Sequence, residues 1–306
     1  MITYWNYNNG FTALETFRKN CWISVTNPTS DEIEFLTGKL KVPAEELNDI
    51  LDPDERARTE VDELWFTIIM RIPVAGSFNG LPFTTVPLGI LISSNLIITI
   101  CQTKNELIPS IIRNKKLDFS NKAKFVMQIF LQVAKLYMHY LKLINIQVAE
   151  IEKDLEKSTR NEELHKMLRM EKCLVYFMTS LKSNDILLAK LRNSKLIKSM
   201  EMDEDLIEDV VIENRQAIEM ANIYSDIQSG MMDAFASVIS NNLNVVMKQL
   251  ASITIILMIP TFIASLYGMN VPNNFENNSW GFILVLLISL LASAFGILLF
   301  RKKNWF

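Results

Sequence analysis

Two aspartates and a row of small polar residues carry the chemistry open to this sequence. Read forward from Asp226 at alternating steps of four and three, it gives Asp226, Gly230, Asp233, Ser237, Ser240, Asn244, Met247, Ala251, Thr254, Met258, Thr261, Ser265 and Gly268. Such steps hold one face of a helix in a supercoiled array. In an ordinary coiled coil this seam is apolar, because an unsatisfied buried polar group costs several kcal/mol. Here its first half is polar or small throughout, and its second half alternates small hydroxyls with methionine. That pattern suits a wall facing water, with apolar constrictions that can gate by dewetting. A single serine or threonine can instead bond back to a helix carbonyl; it is the unbroken row that favours a pore. Asp226 and Asp233 would then form carboxylate rings that attract cations. The later part of the seam holds no carboxylate, and neutral oxygens suit an ion that keeps its water shell, as magnesium does.

The elements that must position this seam follow from breaks and hydropathy. Ser110 to Ser229 contains neither glycine nor proline and is rich in Leu, Lys, Glu and Met, which predicts helix. A first helix runs from Ser120 to about Lys157, the polar cluster Ser158–Glu163 is the turn, and a second helix ends near Leu181. Ser183–Asp185 and Arg192–Ser194 read as weaker breaks. From Asp205 to Tyr267 no strong stop precedes Pro260, and 63 helical residues span roughly 95 Å. Such a helix must begin in water and end in lipid. Val245–Tyr267 has one charge, Lys248, and Gly281–Phe300 has none, so both are long and apolar enough to cross a bilayer. Asn270–Trp280 between them is polar with one acid, Glu276. The basic tail Arg301, Lys302, Lys303 marks the cytoplasmic side, which puts both chain ends inside and the loop outside. Two spans cannot enclose a pore, so the reading demands a ring of subunits.

The remaining sequence reads as mixed α/β. Seven of nine prolines and five of nine glycines lie at or before Pro109. Cys21–Asn27, Trp65–Ile72, Pro87–Ile92 and Leu96–Cys101 have strand character, the last two as a hairpin. Short helices are expected at Ser30–Thr37, capped by Thr29 and Glu32 and ended by Gly38, at Pro43–Leu51, and around Asn105–Arg113. The expected divisions are an α/β cytoplasmic domain over 1–118, a helical hairpin region over 119–204, a stalk helix over 205–244, a pore-lining span over 245–268, an external loop over 269–280, a second span over 281–300 and a basic tail over 301–306.

Composition excludes several classes. The 306 residues are 49% hydrophobic and 21% charged, with a net charge of −3. No basic stripe interleaved with aromatics suggests nucleic acid. Cys21, Cys101 and Cys173 are widely separated, which implies neither a disulfide framework nor a zinc cluster. The N-terminal MITYWNYNNGFTALETF has no signal-peptide pattern. No P-loop supplies a nucleotide engine. The two histidines, His139 and His165, lie in helical context, so an enzyme is the least expected reading.

Upstream of the seam, Asp203, Glu204, Asp205, Glu208 and Asp209 place five acids within seven residues. They fit the N-terminus of a helix or a divalent-ion sensor between subunits.

At the outer end of the first span, Tyr267-Gly268-Met269-Asn270 resembles the signature of the CorA family of metal-ion transporters. Ile259–Asn270 (IPTFIASLYGMN), the short loop and the tail RKKNWF are also similar, and the order of parts agrees along the chain. The resemblance implies a funnel-shaped homopentameric channel in the plasma membrane. It implies an outer selectivity ring of Gly268, Met269 and Asn270, with Asn270 offering side-chain oxygens to a hydrated ion. It implies that Asn244, Met247, Leu250, Met258 and Thr261 line the pore, with Leu250 one step off the seam. Asp233 matches an acidic vestibule ring, and Asp209, with Asp205 beside it, a site for regulatory magnesium between protomers. Asp62 and Glu63 are candidate partners. The family's frequent Met-Pro-Glu-Leu stretch is absent from the loop, which reads NNFENNSW.

The expected function is passive, gated magnesium influx driven by membrane potential and closed by cytoplasmic magnesium, with cobalt, nickel or zinc as other candidate ions. A proton-coupled zinc transporter of the same fold is the first alternative, since zinc-transporting relatives share Gly-Met-Asn. A membrane-anchored oligomeric sensor or scaffold is the alternative of another class.

Overall fold

The structure, a computed structural model, describes residues 1–7, 10–114, 117, 119, 121–157, 161–194, 204–269 and 280–303. The chain forms two compact units, Met1–Gly230 and Met231–Phe306.

The first unit is built on a seven-stranded sheet. The strands are β1 (Ile2–Tyr7), β2 (Phe11–Leu14), β3 (Trp22–Thr26), β4 (Arg58–Val61), β5 (Phe66–Phe78), β6 (Leu81–Ile92) and β7 (Ile97–Cys101). Their order is β2-β1-β3-β7-β6-β5-β4, antiparallel except where β3 runs parallel to β7. Alternation sends successive side chains to opposite faces. Ile23, Val25, Ile69, Leu91, Ile98 and Ile100 join Leu36, Leu47 and Ile50 in one buried cluster. That cluster includes α2 (Ala44–Leu51) and the turn after α1 (Ser30–Glu34). On the other face Trp22 meets Phe125 edge-on at 5.4 Å, and nearer the β5–β6 turn Phe83 meets Tyr140 and Phe177. These partners belong to α4 (Lys122–Lys157) and α5 (Asn161–Arg192), which follow the short α3 (Leu107–Arg113). The sheet is therefore covered on both faces.

Several boundaries differ from expectation for identifiable reasons. The capping box is present: Thr29 accepts from the Glu32 amide and Glu32 from the Thr29 amide. Gly38 does not end that helix. The chain continues as a π-helical turn, Phe35–Lys39, and leaves it through Lys41, which takes a positive φ of 56°. β5 and β6 outrun their apolar cores because they pair along nearly their whole length around Asn79-Gly80, both at positive φ; such a pair favours a tight hairpin turn. α5 runs straight through Ser183–Asp185. Asn184 is buried there and fastens to β5 beyond the end of β4: it accepts from the Arg71 amide at 2.9 Å and donates to the Arg71 carbonyl at 2.7 Å. The Arg71 guanidinium donates to the carbonyls of Pro53, Glu55 and Thr85, and burial pushes its pKa below the usual arginine value. Gly89 is required by a close approach: a Cβ there would lie 2.3 Å from Ile50 Cδ1.

The last two helices are α6 (Glu204–Tyr267) and α7 (Gly281–Lys302). α6 begins in the first unit and ends in the second, and it stays helical through Pro260.

Candidate ion pathway

Within the first unit, one face of α6 is fastened to its surroundings. Ile207, Val210, Asn214, Ala217, Ala221 and Gln228 are buried, at the three-and-four spacing of a single helix face. Two of them are polar and use their amides to hold α5. Asn214 Nδ2 donates to the Leu181 carbonyl and to Asp185 Oδ1, both at 3.4 Å, and Gln228 Nε2 donates to the Met167 carbonyl at 2.6 Å. Two residues further along lie about 200° around a helix. Those positions, Asp209, Ile212, Glu219 and Ile223, are exposed, as are Asp205 and Asp226.

The second unit repeats the division. Gly296 of α7 packs on Ile256 and Ile259: a Cβ at Gly296 would meet Ile259 Cδ1 at 3.5 Å and Ile256 Cγ1 at 3.8 Å. Ser252, on the same face, is 0% exposed. Two residues beyond Ser252, Ile256 and Ile259 come Thr254, Met258 and Thr261, all exposed, Met258 at 63%. The seam therefore lies opposite the face that α7 covers. Asp233, Asn244, Met247 and Leu250 are exposed too, and Leu250 stands two residues before Ser252, on the same opposed side.

The hydroxyls do bond back to the helix. Ser237 Oγ donates to the Asp233 carbonyl at 3.0 Å, Thr254 Oγ1 to Leu250 at 2.8 Å and Thr261 Oγ1 to Leu257 at 3.0 Å. The back-bonding expected of a lone hydroxyl is thus present at these three positions. Each hydroxyl proton is taken by a carbonyl, while the oxygen keeps lone pairs on an exposed face.

At the far end, the Gly268 amide donates to the Ala264 carbonyl at 2.9 Å, and a Cβ at Gly268 would stand 3.3 Å from that carbonyl oxygen. Met269 is 53% exposed. Asn270, Asp203 and Glu276 lie outside the described residues. Among the described residues no group of three or more His, Cys, Asp or Glu side chains is arranged to hold a metal ion. Asp205 and Asp209 lie one turn apart on exposed positions of α6. Asp62 and Glu63 are exposed beside the β4–β5 turn. Arg301 and Lys302 close the last turn of α7 and Lys303 is its cap, where cations suit the helix dipole. Both α6 and α7 contain stretches apolar enough to cross a membrane, 6% buried in each case.

Sequence reasoning missed Asn214, Gln228 and Gly296. The first two carried a signal, being polar residues in phase with Ile207, Val210, Ala217 and Ala221.

Residues 18–302 match the family described as CorA-like Mg2+ transporter protein. The chain belongs to that family. Among curated CorA proteins, the cobalt/magnesium transport protein CorA of Methanocaldococcus jannaschii is 30% identical over 294 residues, covering 93% of this chain and 90% of the relative. The solved structure of the complete CorA magnesium transporter from Methanocaldococcus jannaschii superposes with a TM-score of 0.79 at 27% identity, covering 100% of this chain and 99% of that one. A ZntB cytoplasmic domain from Vibrio parahaemolyticus shares the fold alone, at a TM-score of 0.58 and 16% identity over 79% of this chain and 97% of that one. The CorA fold accounts for the α/β domain, the long helix and the two C-terminal apolar helices. The family is one of transporters, and the chain is not an enzyme.

Proposed function

We propose that this chain assembles as a ring, a pentamer by its resemblance to the CorA family, around the α6 seam, and that it passes hydrated divalent cations, magnesium first, from outside the cell to the cytoplasm. The observation that carries the reading is the opposition of faces on α6. The side holding Thr254, Met258 and Thr261 is turned away from the side that packs on α7. The cobalt/magnesium naming of a relative that aligns over nearly the whole chain supports the ion class.

On this reading Gly268, Met269 and Asn270 form the outer filter. Asn244, Met247, Leu250, Met258 and Thr261 form the wall and gate, and Asp226 and Asp233 concentrate cations in the vestibule. Flux is passive and driven by membrane potential, since a cation gains about 2.3 kcal/mol per charge per 100 mV. Cytoplasmic magnesium bound between protomers at Asp209 and Asp205 would close the path. Both termini are cytoplasmic, with the basic tail on the inner face.

Purified protein in liposomes, under an imposed inside-negative potential, should take up magnesium and cobalt as read by an entrapped dye. Asn270→Ala should lower flux or selectivity. Absence of magnesium, cobalt and nickel uptake would refute the proposal. Zinc uptake dependent on a pH gradient, with no magnesium flux, would instead support a proton-coupled zinc carrier.

A further inference from the structure

The tip of the β5–β6 hairpin, the last turns of α4 and the first turns of α5 surround a cavity of about 660 Å³. All of it lies in the first unit, and its size is that of small-molecule sites. Leu81, Ile151 and Met170 are buried and give it an apolar lining.

Charge is divided between the two helices. α4 contributes Glu150 and Asp154, one turn apart, and α5 contributes Lys166 and Arg169. Glu163 is also in the wall. Its side chain is 13% exposed and takes up Lys166 in an ion pair at 3.1 Å. Among the described residues Glu150, Asp154 and Arg169 form no ion pair. Two carboxylates on one helix and a guanidinium on the next thus line the same cavity without neutralising one another.

That mixture selects the ligand. A polyvalent anion would meet three carboxylates, and a polyamine would meet an arginine and a lysine, both at repulsive range. A bare metal ion finds no group of three ligating side chains among the described residues. A wholly apolar molecule would take water from the charged groups and return no hydrogen bond. A molecule that joins an ammonium and a carboxylate to an apolar body offers every part of this wall its complement, through charge-assisted hydrogen bonds.

We propose that the cavity binds an α-amino acid with an apolar side chain. Its ammonium lies against Glu150 and Asp154, its carboxylate against Arg169, and its side chain against Leu81, Ile151 and Met170. The site rests on neither the pore nor the ion that passes.

The test is equilibrium dialysis of labelled L-phenylalanine against the full-length protein in detergent. Wild type should bind it saturably, at about one molecule per chain. Phenethylamine, which lacks the carboxylate, and 3-phenylpropionate, which lacks the ammonium, should each compete about tenfold less well than unlabelled phenylalanine. R169Q should bind phenylalanine about tenfold more weakly and no longer prefer it to phenethylamine. The double variant E150Q/D154N should lose the preference over 3-phenylpropionate instead. This exchange of preferences is one that a merely structural role would not produce. Absence of saturable binding to wild type would overturn the site. So would phenethylamine competing as well as phenylalanine, which would make the cavity a simple cation site, or unchanged preferences in both variants. The two half-molecules decide the matter on wild type alone, even where a variant fails to fold.

Discussion

Gly296 of α7 rests against Ile259 of α6, with room for a methyl group and no more: an added Cβ would sit 3.5 Å from Ile259 Cδ1. That contact holds the two apolar helices together and, with Ile256, fixes which side of α6 is covered. Gly296→Ala should therefore be tolerated. Gly296→Leu should destabilise the helix pair by about 1–3 kcal/mol through overpacking, read as a lower melting temperature of the full-length protein in detergent.

The opposed faces of α6 give a labelling prediction. Single cysteines at Met247, Met258, Thr261 and Ser265 should react with a hydrophilic thiol reagent during transport and block it. Cysteines at Ser252, Ile256 and Ile259 should react on the order of tenfold more slowly, since a packed site must wait for local opening. The native Cys21, Cys101 and Cys173 are buried and give little background. Equal rates on both faces would remove the seam from the ion path.

Replacing Asp205 and Asp209 together by Asn should leave basal flux in place and shift inhibition by internal magnesium to concentrations on the order of tenfold higher, since divalent affinity follows carboxylate count. The readout is initial uptake rate against magnesium trapped inside the vesicles. Unchanged inhibition would place the regulatory ion elsewhere.

Glu46 in α2 offers a pH test of the α/β domain. It is 4% exposed and accepts a hydrogen bond from Thr67 Oγ1. Burial raises its pKa above the ordinary 4.5, against the effect of that hydrogen bond. The folded state then binds the proton more tightly than the unfolded state, so stability falls as pH rises from about 4.5 through the raised value. Glu46→Gln keeps an acceptor for Thr67 and removes the ionisation. It should raise the melting temperature by a few degrees at pH 8 and have little effect at pH 4, measured by thermal denaturation of the full-length protein.

The long helices, both apolar spans and the polar seam were legible because each rests on one-dimensional period and composition. Thr29 and Glu32 were legible for the same reason, their interaction being local. What escaped depended on partners distant in sequence. Asn184 reads as a helix-breaking residue until Arg71 supplies the backbone groups it bonds. The short β4 carries a single apolar residue, Val61, whereas the β1–β2 hairpin is rich in aromatic residues and was a usable signal. The Asn79-Gly80 turn was a usable signal for the length of β5 and β6. The opposition of the seam to α7 needed the Gly296 contact, which no spacing rule gives.

The hydroxyls of Ser237, Thr254 and Thr261 commit their protons to carbonyls of their own helix. A chloride ion is held by donors, and at these positions it would find none. Water around a magnesium ion points its hydrogens outward and meets acceptors there. On the proposed pathway the stretches at Thr254 and Thr261 would thus disfavour anions with neutral atoms alone, and would keep that bias at any pH, because nothing in them titrates.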